Sequence, residues 1–122
     1  MKASSDGELE CVLARFFAAE NARDWRAYAS FLHPDVEWTL YNHGQAHRRI
    51  GREEYLRAIR AAYQDVSVRF RCVETLSDPH QGRIVAVLVN DAGERSLDVF
   101  DFDDNLIRYE WEFLLGTGDH GG

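Results

Sequence analysis

The chain is short of cysteine, of positive charge and of long apolar runs. Its two cysteines, Cys11 and Cys72, lie far apart in apolar stretches. That spacing indicates no disulfide framework and reads as two free, buried thiols in a reducing, cytoplasmic setting. Lysine and arginine total 14 against 21 aspartates and glutamates, a formal net charge of -7. Such a field disfavours nucleic acid and anionic membranes as partners. No apolar run reaches the roughly 18 residues that a membrane helix needs. Residues 1–7 are polar and do not form a secretory signal. Glycine-rich phosphate loops, a Gly-x-Ser-x-Gly elbow and paired cysteines are all missing, which removes nucleotide-dependent and serine-hydrolase readings.

What remains is a chain of 122 residues, 45% hydrophobic, long enough for one domain with a real core. Leu9, Val12, Leu13, Phe16 and Phe17 fall at i, i+3, i+4, i+7 and i+8, one apolar helix face. This predicts a helix over residues 8–23. Asp24 caps a second, short helix carrying Trp25, Tyr28, Phe31 and Leu32, ended by Pro34. Residues 36–41 alternate and predict a strand with Val36, Trp38 and Leu40 on one face. A loop with Asn42, His43, Gly44 and His47 follows, and Gly51 opens a third helix. From Val66 the period becomes two. Turn clusters at 78–82, 91–94 and 103–105 separate four strands in a meander. The run 84–89 is continuously apolar, which predicts a central strand covered on both faces. On the last strand Ile107, Tyr109, Trp111 and Phe113 alternate with Arg108, Glu110 and Glu112. The domain spans 8–115, and 1–7 and 116–122 are expected to be flexible termini.

The order α-α-β-α-β-β-β-β predicts an α+β fold in which a strongly twisted, mostly antiparallel sheet curls around the helices and leaves a cavity. Two stretches carry a resemblance to a known superfamily. They are Phe17-Ala18-Ala19-Glu20-Asn21-Ala22-Arg23-Asp24-Trp25 and Phe31-Leu32-His33-Pro34-Asp35-Val36-Glu37-Trp38. With Gly51 and the four strands after it, they resemble the nuclear transport factor 2-like superfamily, with its cystatin-like fold. The nearest branches are the SnoaL-like polyketide cyclases and the ketosteroid isomerases. The resemblance implies a cone with a pocket at its open end. It implies no single activity, because the superfamily holds isomerases, cyclases, dehydratases and proteins that only bind or dimerise. Set against the ketosteroid isomerase pattern, the general-base position falls on Leu40, the tyrosine position on Phe16 and the aspartic acid position on Asp98. One of the three survives, so isomerisation by that mechanism is not expected.

Asp98 shares strand parity with Phe100 and Phe102, whereas Asp101 and Asp103 lie on the other face. If the phenylalanine face is inward, Asp98 is a carboxyl group in an apolar wall. Its pKa is then raised, and it becomes a candidate acid or base. The plainer reading is a structural aspartate bonded to backbone N–H groups or to an arginine such as Arg69. His43 in the loop is a candidate proton shuttle. His43 and His47 form no metal site without a helix or a further ligand, so no metal and no cofactor are expected. Phe16, Trp38, Leu40, Tyr55, Phe100 and Trp111 are the expected pocket lining for a small apolar or aromatic metabolite, although such aromatic stripes also simply fill cores. Two functions follow: a cofactor-free isomerase, cyclase or dehydratase acting through Asp98, or a noncatalytic dimeric binding module. A homodimer is expected in either case.

Overall fold

The computed structural model describes residues 7–117. The elements run α1 (Glu8–Ala22), α2 (Trp25–Ser30), β1 (Leu32–Asn42), β2 (Gln45–Ile50), α3 (Arg52–Ala62), β3 (Phe70–Asp78), β4 (Arg83–Asn90), β5 (Glu94–Asp103) and β6 (Leu106–Thr117). The six strands form one curved sheet in the order β2-β1-β6-β5-β4-β3, with β1 and β6 parallel and every other pair antiparallel. The helices pack on one face. Leu13, Phe16 and Phe17 of α1 join Tyr28, Tyr55 and Ile59 against Ile84, Ala86 and Phe100 of the sheet. The Phe16 ring stacks on Tyr28 at 4.2 Å and meets Phe100 edge-on at 6.1 Å, geometries that aromatic pairs favour.

The α+β class and the three helices are as the sequence pattern predicts, and Asp24 does cap α2, accepting the Ala27 N–H at 3.2 Å. Local expectations change in several places. The segment after Asn42 is a hairpin rather than a loop. His43 and Gly44 both have positive φ, 53° and 78°, and the turn returns the chain as β2. Every residue of β2 is exposed, so no hydrophobic alternation marks it. Helix α2 ends at Ser30, before the proline. Pro34 instead sits within β1, where pairing to β6 is interrupted between Leu32 and Glu37, a place where a missing N–H costs no ladder bond.

Strand β3 begins at Phe70, not Val66. The Arg23 guanidinium donates to the Val66 and Val68 carbonyls at 2.8 and 2.7 Å. Asn21 exchanges two hydrogen bonds with the Phe70 backbone, at 2.8 and 3.0 Å. Asn21 near the end of α1 and Arg23 just after it thus satisfy backbone groups that a neighbouring strand would otherwise take. Gly116 and Thr117 extend β6, and the rest of the expected C-terminal tail lies outside the described residues. Both cysteines are free but exposed rather than buried. Cys11 is on the outward side of α1, and Cys72 is on β3, an edge strand of the sheet.

The apolar run of β4 is one strand in from the edge, not central. Ile84, Ala86 and Leu88 are buried under the helices, while Val85, Val87 and Val89 are half-buried on the outer face. That outer face continues across the sheet. Val85 pairs with Val99, Val87 with Leu97, Val99 with Trp111, Leu97 with Phe113, and Tyr41 with Phe113. Tyr41 and Phe113 stack at 4.5 Å, and Tyr109 and Trp111 at 5.7 Å. A contiguous aliphatic and aromatic surface of this kind is rare on a monomer. We propose that a second copy of the chain covers it. Sedimentation at micromolar concentration should then give twice the 14.0 kDa chain mass, and Trp111→Glu should return it to the monomer mass. Wild-type protein sedimenting as a monomer would refute the pairing.

Candidate functional site

The helices do not fill the concave side of the sheet. They leave a cavity of about 820 Å³, within the usual range for small-molecule sites. Its walls include Phe16, Tyr28, Trp38, Tyr63 and Phe100, and Leu40 lies among them. Exposed residues at its edge include His43 and Gly44 from the β1–β2 turn and Leu114 and Leu115 from the end of β6.

The polar side of the cavity comes from β5 and β6. On β5 the inward residues are Ser96, Asp98 and Phe100, all buried. The parity argument for Asp98 therefore holds, and the residue is only 3% exposed. On β6 the alternation breaks. Phe102 pairs with Ile107 but Asp101 pairs with Tyr109, so Arg108 is an extra residue, a β-bulge. A bulge resets which face the following side chains take. Ile107 points inward; beyond the bulge, Glu110 and Glu112 line the cavity and Trp111 does not. Arg108 is held in the bulge by donating to the Asp35 carbonyl at 2.5 Å.

The consequence is a cluster of carboxyl groups that unbroken alternation would place on the opposite face. Asp98 faces Glu112 directly across the β5–β6 pair, and Phe100 faces Glu110. One oxygen each of Asp98, Glu110 and Glu112 lie within 4.8 Å of one another. Glu20 of α1 approaches from the helix side, where the Tyr63 hydroxyl donates to it at 2.6 Å. Each carboxyl group of the cluster has its own protein donor. The Ser96 hydroxyl donates to Asp98 at 2.7 Å. The Trp38 indole N–H donates to Glu112 at 3.1 Å. The Tyr55 hydroxyl donates to Glu110. No arginine or lysine pairs with Asp98, Glu110 or Glu112 among the described residues.

Carboxyl groups buried together without a cation resist ionisation, for two reasons. Burial removes the water that stabilises the anion, and each charge repels the next. Glu112 is raised to about 7, mainly by burial, against the opposing bond from Trp38. Glu20 is raised to about 7, mainly by burial, with Tyr63 opposing. Asp98 is raised well above the ordinary range, first by burial and then by Glu112. Glu110 is raised likewise, by burial and then by Asp98 and Glu112. Glu112 and Glu20 thus ionise near neutrality, while Asp98 and Glu110 are pushed further above the ordinary carboxyl range. Asp98, Glu110 and Glu112 are close enough together to hold a cation, and each also accepts a hydrogen bond from a protein group.

Of the remaining residues singled out from sequence, Tyr55 is fully buried behind the cavity and acts on it through Glu110. Trp111 lies on the outer face beside Tyr109, not in the pocket. His43 is at the cavity edge, exposed in its turn. Glu20, Glu110 and Glu112 join the site without a sequence pattern that marks them. Glu20 lies one turn after Phe16 and Phe17 on the same face of α1, but a lone glutamate on a helix is ordinary. The two on β6 carried no signal short of the bulge.

Acids whose folded pKa is raised make stability fall with rising pH, because the folded state holds protons that the unfolded chain releases. Glu20 and Glu112 move from 4.5 to about 7. Their contribution is intact below pH 4.5, is lost progressively up to about pH 7, and then levels off; Asp98 and Glu110 extend the loss to higher pH. The urea midpoint should therefore fall between pH 5 and pH 8, and fall less steeply in Glu112→Gln. A midpoint that rises over this range would show the cluster to be ionised and paired.

The fold and the family can now be placed. Residues 13–110 match the SnoaL-like domain. No curated protein matches the chain. Among solved structures, a SnoaL-like protein of unknown function from Burkholderia thailandensis superposes with a TM-score of 0.80 at 19% identity, covering 93% of this chain and 99% of that one. A proposed ketosteroid isomerase from Kribbella flavida has a TM-score of 0.73 at 21% identity, covering 91% and 80%. A proposed polyketide cyclase from Sinorhizobium meliloti has a TM-score of 0.69 at 18% identity, covering 83% and 92%. At these identities the structures speak for the fold alone. The match over residues 13–110 carries the assignment, and the chain belongs to the SnoaL-like domain family.

Proposed function

We propose that the protein is a cofactor-free acid–base catalyst acting on a small, largely apolar ketone bound in the cone, with Glu112 as general base and Asp98 as hydrogen-bond acid. One observation carries this reading. In the parallel β1–β6 pair, Leu40 sits directly beside Glu112. Leu40 occupies the position where the ketosteroid isomerase pattern has its base. The carboxylate absent from β1 is supplied one strand over, opposite Asp98.

The two carboxyl groups divide the labour through their surroundings. Glu112, half-buried and raised to about 7, is near the pKa that suits a general base at neutral pH. Asp98, more deeply buried, stays protonated and donates. In the proposed reaction the Glu112 carboxylate takes a proton from the carbon beside the ketone. The C–H electron pair forms a carbon–carbon double bond, and the carbonyl oxygen becomes an enolate oxygen hydrogen-bonded by Asp98. Glu112 then returns the proton to the same carbon or to a conjugated one, which shifts the double bond. If the ketone carries a β-hydroxyl group, Glu112 returns its proton to that hydroxyl instead, the enolate electrons form the conjugated double bond as water leaves, and Asp98 keeps its own proton throughout. No electron acceptor or metal enters the balance. The aromatic walls, and a carboxyl cluster with no arginine or lysine paired to Asp98, Glu110 or Glu112 among the described residues, favour an uncharged, flat substrate over an anionic one.

The test is isotope exchange. A panel of cyclic β,γ-unsaturated ketones incubated in D2O with the protein should take up deuterium beside the carbonyl, read by mass spectrometry. Glu112→Gln should slow uptake by about 100-fold or more, the usual loss for a general base. Asp98→Asn should slow it less, since an amide still donates. Exchange no faster than in buffer for every ketone, or equal exchange in Glu112→Gln, would leave the noncatalytic binding module as the better account.

A further inference from the structure

We propose that Glu20 is a second proton-transfer residue of this site, the acid that protonates the far carbon of the substrate from the helix side while Glu112 works from the sheet side. The inference rests on the acid–base reading above. It assigns delivery of a proton to the conjugated carbon to Glu20 and leaves Glu112 the carbon beside the carbonyl.

The two carboxyl groups reach the cavity from different layers. Glu112 comes from β6 and faces Asp98 across the β5–β6 pair. Glu20 comes from α1, one turn after Phe16, and lines the cavity with it. The helices pack on the concave face of the sheet, so a flat ring lying between the layers presents one face to Glu112 and the other to Glu20. Both residues are half-buried, whereas Asp98 and Glu110 are buried. Each of the two can therefore exchange its proton with water in the cavity.

Glu20 is also held in place. The Tyr63 hydroxyl donates to its Oε2 at 2.6 Å, which leaves Oε1 to carry the acid proton. Tyr63 lines the cavity as well, and Arg23 fixes its ring. The Arg23 guanidinium lies 4.0 Å from the ring centroid while donating to the Val66 and Val68 carbonyls. Charge keeps the two carboxyl groups in complementary states. Burial raises Glu20 most, and repulsion from Glu112 adds to it, against the Tyr63 bond. An ionised Glu112 therefore biases Glu20 toward its protonated form, which favours the state with one base and one acid.

In the reaction, Glu112 takes a proton from the carbon between the carbonyl and the double bond. The C–H electron pair enters a dienolate whose oxygen is hydrogen-bonded by Asp98. The far end of the dienolate then takes the Glu20 proton at the γ-carbon. The carbonyl re-forms, and the double bond is left conjugated with it. Glu112 ends protonated and Glu20 ionised; water takes a proton from the first and supplies one to the second, so atoms and charge balance.

The test follows two steps in D2O with the same cyclic β,γ-unsaturated ketones. One is deuterium uptake beside the carbonyl in recovered ketone; the other is the appearance of conjugated ketone, read by its ultraviolet absorbance. Glu20→Gln keeps the shape of the acid but has no acid proton. It should slow conjugation by about 100-fold or more, the usual loss for a general acid, and slow uptake far less. Tyr63→Phe should lower the ratio of conjugation to uptake in the same direction and less, and Glu112→Gln should slow both steps together. An unchanged ratio in Glu20→Gln, or uptake without conjugation in the wild type, would overturn the assignment to Glu20 and leave Glu112 as the base. Wild-type protein that gives no uptake with any ketone would overturn both readings, so the two failures are distinct. If Glu20→Gln does not fold, Tyr63→Phe decides: a lowered ratio supports the assignment and an unchanged one refutes it.

Discussion

The side chains of β6 beyond residue 108 face the way they do because of one extra residue. Arg108 has no partner on β5, and its side chain is anchored to the Asp35 carbonyl, where β1 itself departs from regular pairing. Two irregularities on neighbouring strands thus meet and satisfy each other. Without the bulge, Glu110 and Glu112 would face solvent and Tyr109, Trp111 and Phe113 would fill the cone. With it, the aromatic residues coat the outer face and the carboxyl groups enter the cavity. Both surfaces on which function would depend, the pocket and the outer face, follow from that reset.

Burying four carboxyl groups in one cavity is expensive if they are charged, and much less so if they are not. A buried, unpaired carboxylate costs several kcal/mol, whereas a protonated acid with a donor and an acceptor is close to neutral. The surroundings of the cluster favour the second course. Ser96, Tyr55, Trp38 and Tyr63 each bond one carboxyl group, and among the described residues no buried side-chain polar atom is left without a partner. Natural cores seldom keep such a cluster for stability, since apolar residues of similar size would serve as well or better. Groups displaced in pKa by burial and mutual repulsion are a feature of working sites.

Much of the architecture was legible in the residues. The apolar face of α1, the Asp24 cap, the parity of Asp98 and the hairpin turns each obey a local rule, and local rules are what a sequence displays. The misses share a cause. β2 carries no buried face, so nothing in its composition announces a strand. The lead-in to β3 alternates like a strand, but Asn21 and Arg23, more than 40 residues away in sequence, take its backbone groups. The inward turn of Glu110 and Glu112 depends on a bulge set by β1. In each case a contact distant in the chain overrode a local pattern. For the same reason Trp111, an expected pocket residue, belongs to the outer face beside Tyr109.

The central claim is that Asp98, Glu110 and Glu112 form a carboxyl cluster in the cone that resists ionisation, with Glu112 the first of the three to ionise. Neutron diffraction from crystals grown at a pD near 7 would see the hydrogens directly. The account predicts deuterium on the carboxyl groups of Asp98 and Glu110, a Tyr55 deuteron directed at Glu110, and partial occupancy on Glu112. Bare carboxylates at Asp98 and Glu110, neutralised by a cation in the cavity, would contradict it.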